Sequence, residues 1–243
     1  MRVVVTRPTH SGEQTARILR ERGHEPILLP LSRAVHDPAA VRAALAEHAG
    51  AIAVTSAEAI RSAAELHAEL SPYLSRRLFA VGRATAQEAA RTGFTAVSTS
   101  EGDGRALGEF ISAALGRSDS ELPVVYLAGL PRASGFETRL QELQVPFVVA
   151  ECYYMAEVEH EHEHLSQMFL AEPVGAVLLY SRENAERFFR LSVVRSNSDI
   201  LDGSRILCLS AAVAAAVPDQ LRRNISIAAT PEEESLLALL GNA

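Results

Sequence analysis

The sequence predicts an α/β protein of two similar domains with parallel sheets, one of them discontinuous, and three internal echoes carry that prediction. Gly50–Leu66, GAIAVTSAEAIRSAAEL, is answered by Gly175–Leu191, GAVLLYSRENAERFFRL. Arg77–Gln87, RLFAVGRATAQ, is answered by Arg205–Ala215, RILCLSAAVAA. The opening Val3–Leu19, VVVTRPTHSGEQTARIL, matches Tyr126–Leu143, YLAGLPRASGFETRLQEL, with Ser11-Gly12 over Ser134-Gly135 and Thr15 over Thr138. Denoted TS, VG and SG after dipeptides of the first copies, these units run SG, TS, VG, SG, TS, VG along the chain. One complete set is contiguous in the middle; the other has to be assembled from the N-terminal SG unit and the C-terminal TS and VG units. Two copies at so long a period indicate duplicated domains and not a solenoid. The expected division is 1–34 plus 161–243 for the discontinuous domain and 37–153 for the inserted one, with linkers near 32–38 and 153–164.

Taken in order, Val3–Val5 is a short apolar strand ending at Thr6-Arg7-Pro8, and Ser11–Arg22 reads as a helix closed by Gly23. Pro26–Leu31 is the next strand, and the polar Ser32–Pro38 segment suits a crossing between domains. Asp37 before Pro38 fits an N-cap followed by proline at the first helical position, which predicts a helix over Pro38–His48. In the central domain, strands at Ala51–Val54, Leu78–Val81, Ala96–Ser98, Val124–Leu127 and Phe147–Glu151 alternate with helices near Ala57–Glu69, Ala84–Thr92, Gly104–Leu115 and Ser134–Leu143. Such alternation means a parallel sheet covered on both faces. After a second crossing near Tyr153–His160, Leu165–Leu170 is helical. Strands at Ala176–Tyr180, Arg205–Leu209 and Ser226–Ala229 then rejoin the N-terminal strands, with helices near Arg182–Leu191, Ala211–Leu221 and Glu232–Leu240. Arg195–Asp199 and Asp202-Gly203 read as surface turns.

Composition removes several functions. All 23 basic residues are arginine, so no lysine is present for a Schiff base, for pyridoxal phosphate chemistry of the usual kind or for a Walker P-loop. A net charge of −7 argues against nonspecific nucleic-acid binding, which depends on neutralising phosphates. No apolar run reaches membrane-spanning length, and MRVVVTRP lacks the form of a signal peptide, so a cytoplasmic protein is expected. Cys152 and Cys208 each end a predicted strand without a CxxC partner and read as buried thiols. The Glu157–His164 run, EVEHEHEH, reads as a charged, solvent-facing linker and not as a metal site, because histidines at alternate positions give no closed ligand set.

The candidate site lies at the strand ends. Right-handed crossovers bring the C-terminal ends of parallel strands to one edge, where ligands of open α/β sheets bind. Thr55-Ser56, Gly82-Arg83 and Gly129 collect there, as Ser181 and Ser210 do in the second set. Ser56 and Ser181 stand where helix N-caps belong, and a helix start offers amide N–H groups to an anion. No dinucleotide fingerprint is present, since VGRATA has one glycine where three are needed, and neither serine has the flanking glycines of a nucleophile elbow. Hydroxyls, arginines and helix-start amides in two sets suit a polyanion held between two domains.

In order and spacing, VVVTRP, AVTSAEAI, FAVGRATA, YLAGLPR, AECYYM, LLYSRENAERF and ILCLSAAVA together resemble the uroporphyrinogen-III synthase family over nearly the whole chain. The resemblance implies two flavodoxin-like lobes, one discontinuous, joined by a two-stranded linker. It implies a hydro-lyase, needing no cofactor and no metal, that cyclises hydroxymethylbilane with inversion of the last ring for haem, sirohaem or cobalamin synthesis. That substrate is a linear tetrapyrrole bearing eight carboxylates, and the protein is expected to act as a monomer without nucleic acid or membrane. Residue by residue, Arg7 matches the polar position after the first strand, Thr55, Ser56 and Ala57 the first helix start, and Gly82 and Thr85 the VG-x-x-T unit. Gly129, Ser181 and Ser210 complete the substrate-binding set, and Tyr153 is the candidate proton donor to the departing hydroxyl, with Tyr154 as the neighbouring alternative. Where relatives often carry a hydroxyl pair, this chain has Ala211, Ala212 and Val213, which leaves that role to Ser210 or to backbone amides. The rival function is a non-catalytic two-lobed binding module for a small anion, separated from the enzyme by turnover.

Overall fold

The strands are β1 (Arg2–Val5), β2 (Glu25–Leu28), β3 (Ser32–His36), β4 (Ile52–Val54), β5 (Arg77–Val81), β6 (Ala96–Ser100), β7 (Val124–Leu130), β8 (Phe147–Glu157), β9 (Ala176–Leu179), β10 (Arg205–Cys208) and β11 (Ile225–Ile227). They come from a computed structural model that describes residues 1–115, 122–197 and 199–241. The chain divides into unit 1, Met1–Arg33 with Ala156–Ala243, and unit 2, Ala34–Met155. Unit 1 holds a five-stranded sheet in the order β11-β10-β9-β1-β2, and unit 2 a sheet in the order β3-β8-β7-β4-β5-β6. The four pairings within the first sheet are parallel, as are those joining β8, β7, β4, β5 and β6 in the second.

Burial on both faces explains why these strands read as unbroken apolar runs. In unit 1, Val4, Val177, Leu179, Ile206 and Cys208 pack with Phe188 and Phe169 on one side. Their neighbours Val3, Val5, Ala176, Leu178 and Leu207 pack with Leu19, Leu236 and Leu237 on the other. Unit 2 repeats the arrangement. Ile52, Val54, Leu78, Ala80, Val125 and Leu127 face Val41, Leu45 and Ile60. Ala53, Phe79, Val124, Tyr126 and Ala128 face Leu107, Ile111, Phe136 and Leu140.

The internal echoes explain the topology. Numbered by chain order, unit 1 is a 2-1-3-4-5 sheet, the flavodoxin-like order. Unit 2 gives the same order when its count starts at β7 and runs through β8 to β4, β5 and β6. β7 then corresponds to β1, β4 to β9 and β5 to β10, the pairing that the SG, TS and VG repeats predict. The two sheets are one design entered at different points.

Local chemistry sets the helix starts. Asp37 accepts a hydrogen bond from the Ala40 N–H at 3.1 Å and starts helix Pro38–Glu47. Asp103 accepts from the N–H groups of Arg105 and Ala106 at 2.9 and 3.1 Å and starts helix Gly104–Ala114. Several expectations need correction. Both crossings, which read from composition as polar linkers, are the strands β3 and β8, in keeping with the two-stranded linker that the family resemblance implies. Glu157 closes β8 and helix His162–Leu170 takes in His162 and His164, so the His-Glu run is not a free linker. The expected turn at Arg195–Asp199 begins as helix Ser192–Ser196, anchored by buried Val193. The expected helix Ala211–Leu221 is helical only over Ala211–Ala214, because Pro218 cannot continue it, and a 3-10 turn follows at Asp219–Asn224.

One irregularity positions a functional residue. The register of β7 against β8 runs from Ala128 opposite Glu151 to Gly129 opposite Tyr153, so Cys152 is the extra residue of a bulge. Its carbonyl accepts hydrogen bonds from the Ser62 hydroxyl and the Asp37 N–H, both at 2.7 Å.

Cys152 and Cys208 are buried free thiols, and burial pushes their pKa values up to about 12 and about 11. In the unfolded chain each ionises near 9.0. Their contribution to stability is therefore complete below about pH 9 and is lost as pH rises toward 11 and 12, at about 1.4 kcal/mol per pH unit for each thiol. Urea unfolding midpoints at pH 8 and 10.5 are expected to show this loss, and Cys152→Ala is expected to lose less; equal losses would assign the alkaline instability to other groups.

Candidate active site

In unit 2 the sheet order reverses between β7 and β4, and a cavity of about 320 Å³ opens at their C-terminal ends. Thr55, Ser56, Tyr126, Phe136 and Tyr153 line it together with Asp103, Gly104, Arg105 and Arg132. A smaller cavity of about 130 Å³ among Gly50, Ala51, Arg76 and Arg77 lies at the opposite edge of the same sheet. The Tyr126 hydroxyl is 2.9 Å from Thr55 Oγ1, and its ring meets Phe136 edge-on with centroids 4.6 Å apart. Ser56 caps helix Ala57–Ala64 by accepting from the Glu58 N–H at 3.2 Å. Arg132 is held from two sides, its Nε donating to Glu137 at 2.7 Å and an Nη to Glu151 at 2.9 Å.

Tyr153 lies directly over Gly129. A Cβ at position 129 would fall 2.1 Å from Tyr153 Cζ and 2.5 Å from its hydroxyl, so only glycine admits the ring. Burial holds the Tyr153 phenol above its usual pKa, against the opposing hydrogen bond from Ser56. The group remains a proton donor well into alkaline pH. Tyr154, next in the strand, is 52% exposed and points away from the cavity lining, which separates the two tyrosines. Burial raises Tyr126 in the same direction as Tyr153.

The corresponding edge of unit 1 lies between β1 and β9. Ser181 caps helix Arg182–Arg190, accepting from the Asn184 N–H at 3.1 Å, and the Asn184 amide donates to the Thr6 carbonyl at 2.9 Å. Arg7 stacks over Tyr180 at 4.5 Å and pairs with Glu233 at 2.7 Å. The Tyr180 hydroxyl donates to the same Glu233 oxygen at 3.2 Å, and Thr15 hydrogen-bonds it as well.

Of the residues expected from sequence, Thr55, Ser56 and Tyr153 converge on the unit 2 cavity, with Gly129 beneath Tyr153 and Ala57 opening the capped helix. Gly82 and Thr85 stand one strand further out at the end of β5, outside that lining. Arg7 and Ser181 belong to the edge of unit 1. Ser210 caps only a short helical turn, Ala211–Ala214, through a long 3.4 Å contact with the Val213 N–H. Sequence reasoning passed over Tyr126, Arg132, Tyr180 and Glu233. Tyr126 was detectable as a phenol inside an apolar strand, and Tyr180 as the residue that echoes Thr55. Glu233 gave no signal within PEEES. Among the described residues no group of three or more His, Cys, Asp or Glu side chains is placed to hold a metal ion, and no helix is long and apolar enough to cross a membrane.

Both units are parallel α/β sheets with hydroxyls, capped helices and arginines at the strand ends, the edge at which open sheets of this class bind small molecules. A family model described as uroporphyrinogen-III synthase HemD matches residues 13–238. The chain belongs to the uroporphyrinogen-III synthase family, whose members are cofactor-independent cyclising lyases. The fold is similar to that of uroporphyrinogen-III synthetase from Helicobacter pylori, at 19% identity and a TM-score of 0.63, covering 99% of this chain and 98% of that one. It is also similar to a mutant uroporphyrinogen III synthase from Thermus thermophilus, at 17% identity and a TM-score of 0.52, covering 99% and 97%. No curated protein matches the sequence at a significant level.

Gly129→Ala is expected to drive the Tyr153 ring off its seat and to lower turnover as much as Tyr153→Ala does; turnover near the wild-type rate in a folded Gly129→Ala protein would show that the seat is irrelevant. Ser56→Ala and Ser181→Ala each remove one cap, worth about 0.5–2 kcal/mol of stability. Each is expected to weaken activity only modestly, and abolished turnover in a folded variant would require a direct catalytic role for that serine.

Proposed function

We propose that this chain converts hydroxymethylbilane to uroporphyrinogen III, acting as a cytoplasmic monomer that binds no nucleic acid. The observation that carries the residue assignment is the Tyr153 phenol, kept protonated by burial and seated on Gly129 in the cavity that Ser56 also lines, at the C-terminal sheet edge. A linear tetrapyrrole with eight carboxylates needs donors for its anions and a weak acid at its terminal hydroxymethyl group. Helix-start amides at Ser56-Ala57 and Ser181 and the arginines at the strand ends supply the donors. Tyr153 is the acid.

In this reading the Tyr153 hydroxyl protonates the departing hydroxyl, which leaves as water, and the pyrrole nitrogen's electrons form the azafulvene. Attack by the substituted carbon of the terminal pyrrole gives a spiro intermediate, whose fragmentation and reclosure invert that ring. The proton lost from the terminal pyrrole on reclosure restores the phenol, so protons balance over the cycle. The aromatic walls Tyr126 and Tyr153 favour the cationic stages, because a π face attracts positive charge. Most of the work is positioning, since the same substrate closes unaided to the uninverted isomer.

The decisive measurement is whether the purified protein yields the type III isomer faster than spontaneous closure yields type I; binding of hydroxymethylbilane without turnover would leave a binding module. Tyr153→Phe is expected to lower kcat by about 10²-fold, the lower end for general-acid help, because the electron-rich pyrrole already assists departure of the hydroxyl. Tyr154→Phe is expected to stay near wild type. Equal, near-wild-type rates for both would leave the site without a side-chain acid.

A further inference from the structure

Glu233 is the first residue of helix Glu233–Ala238, which follows β11, and its side chain reaches the edge between β1 and β9. There it meets donors from three separate segments: the Arg7 guanidinium at 2.7 Å, the Tyr180 hydroxyl at 3.2 Å and the Thr15 hydroxyl. Tyr180 is pushed well above its usual pKa by burial and by the Glu233 charge, so it stays a donor. Stacking of Arg7 over the Tyr180 ring at 4.5 Å fixes the cradle's orientation. The arrangement is a carboxylate site, and its occupant is a carboxylate of the chain itself.

Unit 2 shows the same place without a plug. β6 corresponds to β11, and the first residue of the helix that follows β6 is Gly104. Gly104 lines the 320 Å³ cavity beside Thr55 and Tyr126, and even a Cβ added there would lie 3.0 Å from Phe136. One copy of the duplicated edge carries no side chain at this position, and the other carries an acid that fills it. The Arg7–Glu233 pair is also within reach of solvent, its two side chains being 26% and 32% exposed, so a ligand carboxylate can approach the guanidinium.

We propose that the Arg7–Tyr180–Thr15 cradle is a subsite for a substrate carboxylate, and that Glu233 is an internal competitor occupying it until a ligand carboxylate takes its place. This rests on the reading of the substrate as a polycarboxylate. Glu233 then lowers the affinity of the empty enzyme, and its removal tightens binding, the opposite of what loss of a structural ion pair would do.

The test compares Glu233→Gln with wild type, with Arg7→Gln, with the double variant and with Glu234→Gln, which removes the same charge from an exposed neighbour outside the cradle. Uroporphyrin, a stable octacarboxylate, is titrated by fluorescence. Glu233→Gln is expected to lower its Kd roughly two- to fivefold, the range open to a partly exposed ion pair. Arg7→Gln is expected to raise it, and neither Glu233→Gln on the Arg7→Gln background nor Glu234→Gln should tighten binding. Citrate, which carries no pyrrole, is the second probe, and its half-saturating concentration in thermal unfolding should fall by a similar factor in Glu233→Gln. Unchanged or weaker binding of both probes in Glu233→Gln overturns the proposal, as does tightening that persists without Arg7 or appears in Glu234→Gln. Turnover of hydroxymethylbilane by the wild type is judged separately. Citrate tightening without turnover upholds the cradle and removes the synthase reading, whereas turnover without tightening does the reverse.

Discussion

A parallel strand covered on both faces can place a polar side chain only at its ends, and this constraint locates the chemistry of both units. The last three residues of β1, β4 and β9 are fully buried and apolar, so the first hydroxyls appear as each strand runs out, at Thr6, Thr55 and Tyr180. Those positions coincide with helix starts, whose free N–H groups need acceptors. Ser56 and Ser181 satisfy one donor each and leave others facing the edge. Tyr126 is the exception that fits the rule: its ring lies in the core, while its hydroxyl reaches the strand end to meet Thr55.

The bulge at Cys152 converts this general edge into a particular one. Asp37 serves two purposes there, capping a helix with its carboxylate and holding the bulge carbonyl with its N–H, while Ser62 supplies the second donor. Two hydrogen bonds, each worth about 1 kcal/mol net, oppose a slip back to regular pairing. Without the extra residue, alternation would turn Tyr153 away from Gly129 and bring its neighbour in instead. A backbone irregularity thus selects the residue to which the acid role is assigned.

The arginines show how a chain of net charge −7 can serve a polyanion. Arg132 is held by Glu137 and Glu151, and Arg7 by Glu233 and the Tyr180 ring. Carboxylates of the protein keep these cations oriented and neutralised. Duplication preserved the backbone frame of the two sheets while side chains diverged within it, as Gly104 and Glu233 do at matching helix starts.

The sequence by itself determined the duplicated α/β plan, the order of its units, the capping residues Asp37, Ser56 and Ser181 and the buried thiols. Each of these rests on apolar runs or on hydrogen bonds spanning two or three residues, which are written locally. The tertiary structure alone decided that Tyr153 and not Tyr154 lines the cavity, because that depends on register against β7 and on a carbonyl held by Asp37 and Ser62 from elsewhere in the chain. It gave the two strands of the linker their bounds, Ser32–His36 and Phe147–Glu157, since polar composition is compatible with pairing only once a neighbour is present. It alone brought Glu233 to Arg7, partners at opposite ends of the sequence whose meeting is set by how β1, β9 and β11 assemble and by no local propensity of either residue.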